Sequence, residues 1–333
     1  MTSPRLEVAG MSVAPGTAIR GAMSLVELAD GSRTEIPILL MNGARPGPRL
    51  YLGSAIHGDE VTCVEVVTGA LKELDPGRLR GSVVCVPVQN PLAFQADHRF
   101  AMSFFMKSPL EHTPADAWAS MPGRADGNLV QSLAHKLFSL IRSCDYAIDV
   151  HTPTRGGRYV PIALLPHSSL GGTGKSREMA AALGSGFVIS DDASGYAADG
   201  VLCVEATRAG VPAFTFEIGE GGRLEPEIGA FGAQCITNAM KYLGMVDGVP
   251  KAPSRTYFMK RFANIRAKRG GLLHTVAALG AYLKKGDLVA RTTNLFGDPL
   301  EEFLAPEEGV FIRATTLSTV AEGERVAAIG VLE

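Results

Sequence analysis

The first 250 residues alternate between two hydrophobic patterns. Continuous apolar runs, for example residues 83–88 and 211–218, are typical of parallel strands that are buried on both faces. Between them lie longer stretches, such as residues 129–141, whose spaced apolar positions favour amphipathic helices. The alternation predicts an α/β fold with a mainly parallel, mixed sheet that is flanked by helices.

The two ends of the chain depart from this pattern. Residues 22–41 contain two apolar runs around Ala-Asp-Gly-Ser, which predicts a hairpin lead-in at about residues 20–45. After residue 250 the chain changes to short apolar runs separated by glycine. This texture predicts a small all-β domain, sandwich-like or barrel-like, over residues 251–333, and a larger domain over residues 1–250. No lysine follows Lys285, so the smaller domain offers no amine in its second half for a biotinyl or lipoyl group.

Composition narrows the classes of function. The chain of 333 residues is 46% hydrophobic and 20% charged, with a formal net charge of -2, which is an ordinary globular balance. It contains no lysine- and arginine-rich run, so neither a nucleic-acid nor a membrane partner is expected. No apolar stretch has the length of a membrane span or a signal-peptide core, which predicts a cytoplasmic location. The five cysteines occur singly and indicate neither disulfides nor a thiolate metal site.

Three candidate metal ligands follow predicted strands. His57 and Glu60 lie in Ile-His-Gly-Asp-Glu, between an apolar strand and a helix, and His151 directly follows the apolar run at residues 145–150. Open α/β sheets bind ligands at the carboxyl ends of their strands, and imidazole and carboxylate groups are both good zinc donors. Asp149 would share a strand face with His151 and orient its ring. Taken singly, His57 is equally compatible with a hydrogen-bonded turn and Glu60 with a helix N-terminus, and His151 alone is more typical of a strand-end histidine that is bonded to a loop carbonyl.

A fourth strand end supplies a candidate general base. Glu217 lies near the end of the apolar run 211–218, where burial of a carboxylate is costly unless the group is used or paired. The alternative is a carboxylate that binds the backbone of the following glycine turn, and Glu220 competes for the role of base. Two histidines and one glutamate leave zinc one position for water, whose proton Glu217 would take and deliver to the leaving group.

The segment Val-Gln-Asn-Pro-Leu-Ala-Phe-Gln-Ala-Asp-His-Arg-Phe carries two further candidates. Arg99 is the best available cation to stabilise a tetrahedral oxyanion, and the alternative is an ordinary surface arginine. Asn90, nine residues earlier, is a candidate substrate-binding residue.

These motifs together resemble the succinylglutamate desuccinylase and aspartoacylase family, a branch of the zinc carboxypeptidase-like fold. The resemblance rests on HGDE, NPLAFQADHRF, DVHT and AGVPAFTFEIGEGG, which occur in this order and span most of the chain. It implies one zinc ion per subunit at His57, Glu60 and His151, carbonyl polarisation by Arg99 and base catalysis by Glu217. It also implies a C-terminal β appendage. The expected activity is removal of an acyl group from an amide or ester of a small N-acyl amine or amino-acid-like substrate.

One departure from the family concerns the substrate. The family usually carries Asp-Leu-Asn-Arg before an aromatic residue, proline and glycine, whereas this chain has Trp118 and Ala119 in place of the Asn-Arg pair. The family arginine binds a substrate carboxylate as a bidentate fork, so its loss counts against N-acetylaspartate and succinylglutamate as substrates. Trp118 is a candidate to line an apolar pocket instead. The candidates for an arginine that binds the substrate carboxylate in its place are Arg124, Arg155, Arg158 and Arg223.

Other interpretations stay open at this point. A metallocarboxypeptidase would share the metal site but needs an arginine fork, and a degenerate relative would bind metal or ligand without turnover. Iron, cobalt or manganese suits the same donor set as zinc. The Gly-Gly-Thr-Gly-Lys-Ser at residues 171–176 lacks the first glycine of a phosphate loop, because Ser169 stands there. A homo-oligomer is compatible with the sequence. Little function is expected of His98, His112, His135, His167 and His274.

Overall fold

Twelve strands form one mixed sheet in the computed structural model, which describes residues 3–101 and 116–333. The strands, in chain order, are β1 (Leu6–Val8), β2 (Met11–Val13), β3 (Thr17–Glu27), β4 (Arg33–Asn42), β5 (Arg45–Ser54), β6 (Arg80–Val86), β7 (Tyr146–His151), β8 (Gly157–Leu164), β9 (Phe187–Ile189), β10 (Ala213–Glu220), β11 (Tyr257–Arg266), β12 (Gly271–Thr275), β13 (Tyr282–Leu283), β14 (Leu288–Thr293), β15 (Pro299–Leu304), β16 (Gly309–Thr315), β17 (Thr319–Val320) and β18 (Arg325–Leu332). The α-helices are Thr62–Lys72, Pro91–Gln95, Leu129–Ile141, Thr173–Ala182, Leu202–Arg208 and Pro226–Tyr242, with a 3-10 helix at Gly195–Ala197.

The order of strands in the large sheet is β13-β16-β18-β11-β9-β8-β10-β7-β5-β6-β4-β3. Its centre is parallel, because β6, β5, β7 and β10 pair in the same direction. The strands β3 and β4 form an antiparallel hairpin that joins β6 at one edge. Beyond β10 the sheet turns antiparallel at β8, and a further pairing of β16 with β8 closes the strands β8, β9, β11, β18 and β16 into a barrel-like ring.

The expectation of a mainly parallel sheet is therefore corrected to a mixed sheet. The strands β11, β13, β16 and β18 come from the glycine-rich segment after residue 250, and they extend the large sheet rather than standing apart from it. Only β12, β14, β15 and β17 form a separate four-stranded sheet. Local patterning identifies such strands as β-structure but carries no information about which sheet they join. The domain boundary after residue 250 stays a prediction.

The central strands send alternate side chains into two cores. Leu50 and Leu52 of β5 belong to the same buried cluster as Val66 on helix Thr62–Lys72. The intervening Tyr51 belongs to a second cluster with Leu137 on helix Leu129–Ile141. This alternation follows from the two-residue repeat of a strand, and it explains why the central strands are apolar throughout.

Two further properties bear on the predicted classes. All five cysteines are buried thiols, which behave here as small apolar side chains. Within residues 3–101 and 116–333 no helix is both long enough and apolar enough to cross a bilayer.

Candidate metal centre and active site

His57, Glu60 and His151 meet at the carboxyl ends of two central parallel strands. His57 and Glu60 lie in the loop between β5 and helix Thr62–Lys72, and His151 is the last residue of β7, which pairs with β5. The loop packs closely on helix Pro91–Gln95, since a Cβ atom added at Gly58 would lie 1.9 Å from the carbonyl oxygen of Ala93. Glycine at this position therefore allows the loop to hold His57 and Glu60 against the sheet.

The donor atoms of these three residues converge. His57 Nδ1 lies 2.7 Å from Glu60 Oε1, and His151 Nδ1 lies 2.9 Å from Glu60 Oε2. One ligand atom from each residue lies within 4.8 Å of the other two, and all three residues are buried. Two imidazole nitrogens and a carboxylate in this arrangement can hold a divalent metal ion.

Carboxylates outside this triad hold the two imidazoles in place. Asp149 Oδ2 lies 2.7 Å from His151 Nε2, and Asp116 Oδ1 lies 3.1 Å from His57 Nε2. Hydrogen bonds at both Nε2 atoms favour the tautomer whose Nδ1 lone pair is directed at the centre of the triad, which is the common arrangement for histidines that bind metals. The orienting role of Asp149 agrees with the sequence analysis. Asp116 was missed, because it lies in a loop whose approach to His57 no local pattern reveals.

The contacts of Asp149 continue into the core. Gln89 Nε2 donates a hydrogen bond of 2.8 Å to Asp149 Oδ1, and the Tyr51 hydroxyl donates one of 2.8 Å to Gln89 Oε1. These three side chains are all buried. Asp149 therefore has both carboxylate oxygens occupied, one by Gln89 and one by His151, and has little freedom to rotate.

The charges in and around the triad favour the binding of a cation. Burial raises the pKa of Glu60, but the two neighbouring imidazoles outweigh it and hold that pKa below its ordinary value. Burial lowers the pKa of His151, whereas the charges of Asp149 and Glu60 raise it well above the usual range. The two shifts arise because imidazoles and carboxylates are held together in a buried space, and a divalent cation placed there would interact favourably with the carboxylates.

Glu217 stands beside the triad. It is the Cα register partner of His151 in the parallel pair of β10 and β7 and is only 3% exposed. The Tyr196 hydroxyl donates a hydrogen bond of 2.7 Å to Glu217 Oε1, whereas Oε2 has no hydrogen-bond partner within the described ranges. Burial, together with the charge of Glu60, raises the pKa of Glu217 to about 7. Such a group can exchange a proton near neutral pH.

Glu220, the competitor for the role of base, has other partners. It accepts hydrogen bonds from Thr316 Oγ1 at 2.7 Å, from Arg223 at 3.3 Å and from Arg158 at 3.5 Å. It does not line the cavity over His57 and His151. Two arginines that the sequence offered as substrate anchors, Arg158 and Arg223, are thus engaged with this carboxylate.

Arg99 lines the same cavity and contacts two of the carboxylates described above. Its Nη1 lies 3.4 Å from Glu60 Oε1, and its Nη2 donates a hydrogen bond of 3.1 Å to Asp116 Oδ2. The side chain is 28% exposed, so its guanidinium faces both the buried carboxylates and the cavity. The arrangement places a fixed positive charge beside the triad, where it can stabilise a developing oxyanion.

Trp118 forms one wall of the site. Its ring centroid lies 6.0 Å from that of His57, 5.6 Å from that of His151 and 5.5 Å from that of Tyr196. The side chain is buried, and its Nε1 has no hydrogen-bond partner in the part of the chain that the structure describes. Tyr196 was also missed in the sequence, because it lies in a loop turn outside every motif.

The other predicted substrate-binding residues differ in their placement. Asn90 caps helix Pro91–Gln95, because its side chain accepts a hydrogen bond from the backbone N–H of Ala93, and it does not line the cavity. Arg124 pairs with Asp126 at an exposed position away from the cavity. Arg155 does line the cavity.

The cavity over the triad has a volume of about 740 Å³, which suits a small molecule. Its lining includes His57, His151, Glu217, Trp118 and Tyr196 at one end. Of the five histidines with little expected function, His112 lies outside the described residues, and His98, His135, His167 and His274 are absent from this lining.

The chain matches a family model described as the succinylglutamate desuccinylase/aspartoacylase catalytic domain over residues 46–243. It is 25% identical over 308 residues to an N-alpha-acetyl-L-2,4-diaminobutyric acid deacetylase of Halomonas elongata, covering 88% of this chain and 85% of that protein.

Solved structures of similar fold agree with this match. A product-bound ectoine utilization protein of Ruegeria pomeroyi superposes with a TM-score of 0.79 at 23% identity, covering 94% of this chain and 95% of that one. A succinylglutamate desuccinylase of Silicibacter sp. superposes with a TM-score of 0.80 at 22% identity, covering 95% of each chain. These structural likenesses show a shared mixed α/β fold. The match to the family model confirms the family resemblance that the motifs indicated. The chain belongs to the succinylglutamate desuccinylase/aspartoacylase family of deacylases.

Proposed function

We propose that this protein is a zinc-dependent deacylase that hydrolyses the amide or ester bond of a small N-acyl substrate. The observation that carries the proposal is the position of Glu217. Its Oε2, which has no hydrogen-bond partner among the residues that the structure describes, belongs to a buried carboxylate next to His151, at a cavity that His57 and His151 also line. A metal-binding triad and a free base at one cavity are the two elements that hydrolysis of an acyl bond requires.

In this proposal His57, Glu60 and His151 hold one zinc ion per chain. When bound, zinc polarises the scissile carbonyl and lowers the pKa of a water molecule towards about 7. Asp149 and Asp116 keep the two imidazole rings oriented for this task through the hydrogen bonds at their Nε2 atoms. Zinc is preferred over harder cations because two of the three donors are nitrogen atoms.

Glu217 acts as the general base and then as the general acid. Its free Oε2 takes a proton from the attacking water and returns it to the leaving nitrogen or oxygen of the substrate. The hydrogen bond from Tyr196 to Oε1 leaves Oε2 as the proton-transfer atom. Glu220 does not compete, because Thr316, Arg158 and Arg223 occupy its carboxylate.

Arg99 stabilises the oxyanion that forms on the acyl carbonyl, since its guanidinium is fixed by Asp116 and faces the cavity. Trp118 contributes an apolar wall and an N–H group that has no partner among the described residues and is available to a substrate oxygen. Arg155 is proposed to contact substrate at the rim, although it also pairs with Asp97.

The proposed substrate is an acylated amino acid or a related amine. The relative from Halomonas elongata is named for deacetylation of N-alpha-acetyl-L-2,4-diaminobutyric acid, so this compound is a reasonable first choice for assay. The match to the desuccinylase/aspartoacylase family model makes a carboxypeptidase the weaker alternative. A cytoplasmic location and assembly into a homo-oligomer remain predictions from sequence.

The test is a hydrolysis assay of the zinc-loaded protein against N-acetyl-2,4-diaminobutyric acid, other N-acetyl amino acids, simple esters and dipeptides. We expect turnover of at least one acyl amide or ester, with kcat reduced about 10²- to 10⁴-fold by Glu217→Gln. The comparison variant is Glu220→Gln on the same strand, which should retain activity. Zinc content and thermal midpoint show that both variants are folded and loaded. Equal activity of Glu217→Gln and the parent would reject Glu217 as the base.

Turnover confined to dipeptides would identify a peptidase instead. Zinc binding without turnover of any compound would support the degenerate, non-catalytic alternative.

A further inference from the structure

Arginines from the C-terminal strands also line this cavity. Arg313 lies on β16, Arg325 begins β18 and Arg266 ends β11, and all three are cavity-lining residues. They come from the segment after residue 250, which the sequence assigned to a separate small domain. The cavity is therefore lined both by His57 and His151 and by arginines from a distant part of the chain.

The strand order explains how the C-terminal arginines reach the cavity that Glu217 lines. Tyr159 on β8 is the register partner of Gly219 on β10 and of Arg313 on β16. Neighbouring strands lie about 4.8 Å apart, so β16 lies roughly 10 Å from the strand that carries Glu217.

Arg313 differs from Arg99 and Arg155 because it has no acidic partner among the described residues. Arg99 pairs with Asp116, and Arg155 pairs with Asp97. Among the described residues Arg313 forms no ion pair, and its one side-chain hydrogen bond is a long one of 3.4 Å to Thr315 Oγ1. Arg325 likewise forms no ion pair within these ranges, and its guanidinium adds a second positive charge nearby.

The guanidinium of Arg313 is also partly buried and closely fitted. A Cβ atom added at Gly157 would lie 2.7 Å from Arg313 Nη2, so the absence of a side chain at Gly157 makes room for it. Burial lowers the pKa of Arg313 from its ordinary value, which reflects the cost of a desolvated cation that the charge of Glu217 offsets only in part. A half-buried, unpaired guanidinium at a cavity is a site that an anionic group from outside can complete.

We propose that Arg313, assisted by Arg325, binds the carboxylate of the substrate and replaces the arginine that family members carry at the position of Ala119. The proposal rests on the proposed deacylase function, since it assigns the carboxylate end of that substrate. Trp118 and Ala119 provide no cation on the loop side of the site. The planar guanidinium of Arg313 forms a two-point contact with a carboxylate, which an amide of the same shape does not reproduce.

The test compares ligands that differ only in this group. N-acetyl-L-glutamate, N-acetyl-L-leucine and Nα-acetyl-L-lysine are each paired with the matching α-carboxamide. Binding is measured by calorimetry on the zinc-loaded Glu217→Gln protein, so that turnover does not interfere. We expect at least one carboxylate form to bind about 10- to 100-fold more tightly than its carboxamide, and Arg313→Gln to abolish this preference.

Arg261→Gln is the matched control, because Arg261 lies on β11, pairs with Glu307 and is not a cavity-lining residue. It should keep the carboxylate preference. Arg313→Lys, which keeps the charge but loses the planar fork, should reduce the preference, and it serves as the test if Arg313→Gln does not fold. An absent preference in every pair, or an unchanged preference in both Arg313 variants, overturns the anchor.

The two proposals fail in different ways. Turnover by the protein with intact Glu217, without any preference for the carboxylate form, rejects the anchor and leaves the deacylase. An Arg313-dependent preference without turnover supports the anchor and rejects the deacylase.

Discussion

Glu217 and His151 are register partners on the neighbouring parallel strands β10 and β7, so the proposed base and a proposed metal ligand lie side by side. This relationship is set by backbone pairing rather than by flexible loops, and it holds both side chains in a buried position. Asp149 occupies the same face of β7 two residues earlier and pairs with His151. The sheet thus supplies a rigid frame for the chemistry, as expected for a preorganised site.

The variant Asp149→Asn should weaken metal binding without removing the ligands. The asparagine side chain would keep an oxygen for Gln89 but lose the charge that polarises the imidazole of His151. We expect zinc affinity to fall about 10- to 100-fold, with activity restored at saturating zinc. Competition with a fluorescent chelator measures the affinity. An unchanged affinity would mean that Asp149 does not act through His151.

The hydrogen bond from Tyr196 should influence the pH at which activity is lost on the acid side of the pH profile. Burial raises the pKa of Glu217 to about 7, and the hydroxyl of Tyr196 opposes this by stabilising the carboxylate. A base must be ionised, so kcat/KM falls as the pH drops through this pKa. In Tyr196→Phe the pKa rises, and activity should be lost at a higher pH, by about one unit.

The control for this measurement is Tyr242→Phe, since the Tyr242 hydroxyl donates to Glu178 outside the cavity. Its acid limb should match that of the parent. An acid limb that does not move in Tyr196→Phe would show that the hydrogen bond has no influence on the titrating base.

Arg99 should act on the rate more than on substrate affinity. Replacement by lysine keeps a positive charge but loses the fork that contacts Glu60 and Asp116 together. We expect kcat to fall about 10²-fold or more with a small change in KM, because an oxyanion forms only during reaction. Steady-state kinetics at saturating zinc separate the two constants. A selective rise in KM would instead assign Arg99 to ground-state binding.

The sequence identifies His57 and His151 as candidate metal ligands, and Glu217 as a candidate base, because each stands at or near the end of an apolar run. Such runs identify buried strands, and a polar residue directly after one is placed at the sheet edge where ligands bind. His57, His151 and Glu217 were found in this way. Their convergence follows from the parallel pairing of β5, β7 and β10, which the alternating pattern also indicates.

Other parts of the site depend on contacts between distant segments. Asp116 and Tyr196 reach His57 and Glu217 from loops, and no periodicity marks them. Arg313 joins the cavity only because β16 pairs with β8, which brings a C-terminal strand next to the catalytic sheet. A strand pattern reveals the strand but not its partner, so the partly closed sheet was not foreseen.

The central claim is that His57, Glu60 and His151 hold one metal ion, and Trp118 allows it to be measured directly. Trp118 is the only tryptophan in the chain, and its ring lies within 6.0 Å of both histidine rings, centroid to centroid. Titration of the metal-free protein with zinc should change its fluorescence and saturate at one equivalent, in agreement with metal analysis. His151→Ala should abolish this tight equivalent, and Glu217→Gln should retain it. Saturation at one tight equivalent in His151→Ala, or no zinc binding by the parent protein, would contradict the account.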